Sequence, residues 1–341
     1  MKKLLTFLGV IFFMAGSTVW AQEVNSSATL SGTSSVEDIT VKNDAEGGTQ
    51  ISLDTRFGYE HQSSGKRAGF GGDGFLLNID GKISKNFSYS FNHYLSGTNG
   101  EDSSVFDATN WLTLTYELGN FAITAGKDAL AIGSFEYDAY DLDCYFDMNS
   151  MFYNSFACYQ WGAKAMWTNK SETTSFALQV TNSPFAYVPL EDNMYSYNLG
   201  WYGAWDSYES IWTVNLLEYT PGEFVKMVAL GNMFYIGDLS LGVDYIMRGA
   251  KVKNMFNDVT LNVMPSYNIG ESLRLFAKFG WEQTSEPLEY DFWGEYLDTD
   301  DMIEINEESS SVMPAYLIAG DDYIYYGAGI EYFPLKENKS V

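Results

Sequence analysis

The chain has 341 residues, with 45 acidic against 19 basic side chains and a formal charge of −26. That balance excludes a nucleic-acid binder held by phosphate contacts and a basic patch that docks on anionic lipid. Aromatics make up 17% of the chain (25 Tyr, 23 Phe and 9 Trp), an excess over soluble domains that suits the interfacial girdles of a membrane-spanning β-structure.

Residues 1–21 read as a signal peptide. Lys2 and Lys3 are the positive start, Leu4 to Ala15 the apolar stretch, and Val19-Trp20-Ala21 before Gln22 the cleavage pattern. The alternative is an uncleaved anchor, but the apolar stretch is too short to span a bilayer. Loss of the two lysines takes the charge from −26 to −28. Gln22 rather than Cys stands directly after the cleavage point, which speaks against a lipoprotein. Residues 22–48, rich in Ser, Thr, Asn, Glu and Asp, read as a flexible periplasmic extension.

From residue 49 to 341 one pattern repeats: about ten alternating residues, a short turn, about ten more, then a longer link. Ile51-Ser52-Leu53-Asp54-Thr55-Arg56-Phe57-Gly58-Tyr59-Glu60 shows it, with mostly apolar or aromatic residues at odd positions and small, polar or charged ones at even positions. A strand sends successive side chains to opposite faces, so each segment has one oily and one wet face. Strands are predicted near 50–61, 74–84, 86–96, 109–118, 120–128, 157–168, 173–183, 193–205, 210–219, 224–235, 239–248, 257–268, 272–283 and 322–333. Tight turns fall near Lys85, Gly119, Lys170, Gly237 and Gly270. Longer links fall at 62–73, 97–108, 129–156, 184–192, 249–256 and 284–321. Thr220-Pro221-Gly222-Glu223 is short where a long link is due. Late strands keep charges on the wet face: Arg274 and Lys278 alternate with Leu273, Leu275, Ala277 and Phe279. A basic residue facing mid-bilayer lipid would cost roughly 2–4 kcal/mol. After the signal peptide no apolar run is long enough for a transmembrane helix.

The fold class this predicts is all-β: a transmembrane antiparallel β-barrel with about 14 visible strands. A soluble sandwich also alternates, but its strands are usually shorter. The octet after Phe333 resembles a further turn, and Val341 is not the aromatic on which such barrels commonly end. A missing C-terminal hairpin would make 16 strands, since closure needs every edge paired.

The fifth strand runs into Gly126-Lys127-Asp128-Ala129-Leu130-Ala131-Ile132-Gly133-Ser134-Phe135-Glu136. This resembles the segment of phosphate-selective porins (the O and P porin family) where a strand enters the inward-folding third loop. Gly329-Ile330-Glu331-Tyr332-Phe333-Pro334-Leu335 resembles a late strand and turn of Bacteroidetes members. The resemblance covers most of the chain in layout and few residues in motif. It implies a homotrimeric, sixteen-stranded pore for small solutes in the outer membrane of a Gram-negative bacterium. It does not bring phosphate selectivity with it. Between Lys127 and Lys164 there is no basic residue, and Ile132 stands where the family has Pro.

The expected function is therefore passive diffusion of small polar solutes or ions. Loop 129–156 would form an acidic constriction through Glu136, Asp138, Asp141, Asp143 and Asp147, facing a basic pore wall of Arg56, Lys82, Lys164, Arg274 and Lys278. The alternative for the acids is a solvated surface loop. The alternative for the whole chain is a non-conducting barrel serving as adhesin or scaffold. Cys144 and Cys158 are a possible disulfide. Asp298, Asp300 and Asp301 in the long external loop 284–321 offer oxygen ligands to Ca²⁺, without the spacing of a dedicated calcium loop; no other cofactor is expected. No HExxH, GxSxG or phosphate-cradling loop occurs, so an enzyme is not expected.

Overall fold

The computed structural model describes residues 15–19, 41–43, 47–61, 68–95, 106, 108–138, 150, 153, 158–186, 193–249, 258–283 and 322–333. The strands are β1 (Ala15–Val19), β2 (Val41–Asn43), β3 (Gly47–His61), β4 (Ala68–Ser84), β5 (Phe87–Tyr94), β6 (Thr109–Leu118), β7 (Phe121–Ala129) and β8 (Tyr159–Thr168). They continue as β9 (Thr174–Asn182), β10 (Tyr195–Trp205), β11 (Tyr208–Thr220), β12 (Glu223–Ile236), β13 (Leu239–Gly249), β14 (Asp258–Ile269), β15 (Leu273–Gln283) and β16 (Asp322–Tyr332).

From β3 to β16 every strand pairs antiparallel with its neighbour in sequence, giving a fourteen-stranded meander. Among the described residues β3 and β16 do not pair. The outer edge of β3 carries β1, from the stretch read as signal peptide, and β2 pairs with β3 as well. The first link is shorter than the sequence indicates: β4 begins at Ala68 and runs on through Gly69, Gly71, Gly72 and Gly74. Glycines read as loop by composition, yet each can still take its place in a ladder. A register shift between Thr55 and Arg56 absorbs the irregularity.

The short turns are built by residues that tolerate them. Gly119 and Gly237 take φ of 59° and 61°, where a side chain would be strained. Asn86 donates to the Glu117 carbonyl at 2.6 Å and Asn120 to the Thr168 carbonyl at 2.6 Å, tying each turn to the next strand.

Burial inverts the order of a soluble protein. On β9, Phe176, Leu178 and Val180 are exposed while Gln179 and Thr181 are 1% and 2% exposed. On β10 and β11, Tyr197, Leu199, Trp212 and Val214 are exposed, and Asn198, Thr213 and Asn215 are buried. Water would penalise such a surface, whereas hydrocarbon makes it the stable arrangement. The fold is thus an all-β barrel wall with an apolar outside and a polar inside. Outside, near the short turns of β10–β13, Trp201, Trp205, Trp212, Tyr208 and Phe234 pack ring to ring at 4.8–6.1 Å. Aromatics at this height match a membrane–water interface.

Candidate functional site

Chain leaving β7 does not stay outside the barrel. Residues 130–138 run along the inner wall and touch β9 and β11 to β15, which shows how far the sheet curls. Two kinds of contact hold them. Leu130, Ile132 and Tyr137 bury against Leu217, Val225, Met227, Ala229 and Ile246, an apolar patch on β11–β13. The backbone meets a ladder of carboxamides and hydroxyls. Gln179 donates to the Ala129 carbonyl at 2.8 Å and accepts from the Ala131 amide at 2.8 Å. Asn215 donates to the Ala131 carbonyl and to Asn198, each at 2.7 Å, and Asn198 donates to Gln179 at 3.0 Å. Thr213 accepts from the Gly133 amide at 2.8 Å. Every loop group here is desolvated, so each must find a partner on the wall.

At Gly133 the loop backbone touches the wall. A Cβ there would lie 2.3 Å from the Ala229 carbonyl oxygen and 2.5 Å from that of Ile211. No side chain fits between the two.

Beyond it the chain turns, with the Asp138 amide bonding the Ser134 carbonyl at 3.0 Å. Asp244, buried on β13, accepts from Ser134 Oγ at 2.8 Å and from the Phe135 and Glu136 amides at 2.9 Å each. A carboxylate suits this place because three donors converge on it.

The Glu136 carboxylate lies one strand further on. It accepts from Ser150 Oγ at 2.6 Å, the Ser150 amide at 2.9 Å and Asn262 at 2.8 Å, and pairs with Lys278 at 2.7 Å. Tyr325 on β16 donates to Asn262 and completes the chain of bonds across the wall.

The predicted site residues separate accordingly. Glu136 and Lys278 meet as a buried pair, so Glu136 presents no free charge to the bore. Asp138 is exposed. Lys164 pairs with Asp128 at 2.6 Å and Arg274 with Glu331. Lys82 is exposed at the short-turn end of β4. Arg56 lies on β3, with its side chain outside the described residues. Asp141, Asp143, Asp147, Cys144, Asp298, Asp300 and Asp301 lie outside the described residues altogether. Cys158 is half-buried; its carbonyl accepts from the Leu130 amide at 2.9 Å and the Tyr137 hydroxyl at 3.3 Å. Among the described residues no His, Cys, Asp and Glu form a group that could hold a metal.

Sequence reasoning missed the clamp: Gln179, Asn198, Thr213, Asn215, Asp244 and Asn262. The available signal was carboxamides on the wet face of successive strands, where a simple aqueous wall has no need of them. A second ladder lies opposite. Asn78 donates to Asp54 at 2.7 Å, Asn92 to Asn78 at 2.5 Å and Asn110 to Asn92 at 2.7 Å, joining β3 to β6.

Burial raises the pKa of the Tyr137 hydroxyl well above the usual tyrosine value. The surrounding wall desolvates Asp138 and pushes its carboxyl up; the Lys164 ammonium opposes the shift and the Glu209 carboxylate adds to it.

No protein-family model matches the chain, and no curated protein matches it in sequence. Among solved structures it is similar to an anion-selective porin from Comamonas acidovorans, at 12% identity and TM-score 0.42, over 84% of this chain and 99% of that one. It is similar to OmpF of Salmonella typhi in complex with daunomycin, at 11% identity and TM-score 0.47, over 72% and 82%. It is similar to OccK7 of Pseudomonas aeruginosa, at 11% identity and TM-score 0.38, over 71% and 74%. Likeness at this distance transfers no residue role to this chain.

Proposed function

We propose that this protein is an outer-membrane channel for passive diffusion of small polar solutes or ions, narrowed by loop 129–156. The observation that carries this reading is the course of residues 129–138. They enter a barrel with an apolar outside and a polar inside, and are bonded to its inner wall strand by strand. A segment fixed in this way narrows a bore permanently at one height. The loop's acids make the constriction acidic, with Asp138 rather than Glu136 as the free charge among the described members. Anionic walls favour cations over phosphate. The assembly would be a homotrimer in the outer membrane, and the chemistry is transport rather than catalysis.

Full-length protein inserted into planar bilayers should give discrete current steps, with a reversal potential in a KCl gradient displaced towards potassium. Absence of steps from correctly folded protein would refute the channel. One observation favours the second reading, a non-conducting barrel whose outer loops bind surfaces. Inside the barrel Asn92, Gln179, Asn198, Asn215, Asn262 and Glu282 are at most 1% exposed. The same recording separates the two readings.

A further inference from the structure

The inner wall changes character one rung below the clamp. At the loop's own height Ile211, Gly231, Asp244 and Asn262 stand side by side on β11–β14, all buried. On the next rung towards the short turns, Glu209 stands opposite Met233, Met233 opposite Gly242, and Gly242 opposite Met264. Here Glu209, Met233 and Met264 are half-exposed, so the interior opens below the loop into a vestibule.

This rung joins two chemistries. The methyl groups of Met233 and Met264 converge over Gly242, 3.1 and 3.2 Å from where its Cβ would be. They form an apolar floor in a compartment otherwise lined with polar groups. Glu209 closes one end, diagonal to Tyr235 on β12. Asp138 is exposed at the end of the described loop, and its carboxyl feels the Lys164 ammonium first and the Glu209 carboxylate second. The Tyr202 ring lies over Gly200 and feels the charges of Asp138 and Asp128. Lys164 is matched by Asp128 and Lys278 by Glu136. Beside the methionines the charges are carboxylates: Glu209 stands on their rung and Asp138 is exposed at the end of the described loop, while the exposed Lys82 lies on β4, seven strands from β11.

We propose that this vestibule binds small organic cations with an apolar body, the ammonium between Asp138 and Glu209 and the body on Met233 and Met264. Water and inorganic ions gain nothing from thioether methyls, whereas an alkyl or aryl group does. Methionine side chains adapt to varied shapes, and tyrosine rings add attraction for a cation. The carboxylates select the sign of the charge, and the floor selects against a bare ammonium. The inference rests on the reading of the barrel interior as open to water from the short-turn end.

Binding is measured without current, on the folded full chain in detergent, by isothermal titration with phenethylammonium. Phenylacetate supplies the same body with opposite charge, and ethylammonium the charge without the ring. Phenethylammonium should bind at least five-fold more tightly than either. Glu209→Gln and Met233→Gln should each weaken it at least five-fold, with the heat-modifiable gel band confirming the fold. Equal binding of phenylacetate, unchanged affinity in both variants, or no binding by the wild type would overturn the proposal. A barrel that carries no current yet binds as described would refute the channel and leave this site standing.

Discussion

Asp244→Ala tests the clamp most directly. Asp244 accepts three hydrogen bonds from the loop at 2.8–2.9 Å and is fully buried. A hydrogen bond to a charged group contributes about 1.5–3 kcal/mol net, so three amount to about 6 kcal/mol. Two effects offset part of this. Removal of Asp244 ends its repulsion with the Glu136 carboxylate, and water admitted to the vacated space solvates the orphaned amides. The net loss should be about 3 kcal/mol, or about two orders of magnitude in the docking equilibrium at 1.4 kcal/mol per decade. Hydrogen exchange read by mass spectrometry reports that equilibrium, because the Phe135 and Glu136 amides exchange only when the loop lifts. Their exchange should quicken about a hundred-fold while amides within β13 keep their protection. Asp244→Asn keeps one acceptor oxygen and should fall between. Unchanged protection at Phe135 and Glu136 in the alanine variant would refute the clamp.

Three further outcomes are expected. Gly133→Val places carbon where the Ala229 and Ile211 carbonyls already stand; the loop should leave the wall, raising single-channel conductance and exposing residues 130–138 to protease. Lys278→Met leaves Glu136 buried without its cation, a loss of roughly 3–5 kcal/mol. The temperature of heat modification on gels should fall, and Glu136→Gln added to Lys278→Met should restore most of it. Asp138 has its carboxyl pushed up, so between the ordinary aspartate range and the raised value the folded protein holds more proton than the unfolded chain. Its contribution to stability therefore declines as pH rises through that window. On acidification its charge disappears before an ordinary aspartate's would. Preference for potassium over chloride should begin to fall above the usual aspartate range, and Asp138→Asn should remove that step from a plot of reversal potential against pH.

Much of the wall was legible because a lipid-facing strand imposes a period of two on its sequence. Leu273 to Phe279 and Leu239 to Met247 face the sides their alternation indicates. Turn residues marked the short hairpins. Three elements were not anticipated: β1 in the stretch read as signal peptide, β2 in the stretch read as a flexible extension, and the glycine-rich start of β4, where composition speaks for a loop while pairing overrides it. The candidate site was legible in part. Glu136 and Lys278 both drew notice as charges, but their contact spans 142 positions in sequence and reverses the role of Glu136 from exposed acid to buried partner. Asp244 looked like any other wet-face residue on its strand.

Local chemistry therefore determined which face of each strand meets lipid, where the turns fall and that a long link follows β7. Those follow from interactions between residues a few positions apart. Tertiary structure decided what fills the interior. The clamp, the paired charges and the thioether floor each bring together strands that only curling of the sheet places side by side, and no period in a linear chain encodes that proximity.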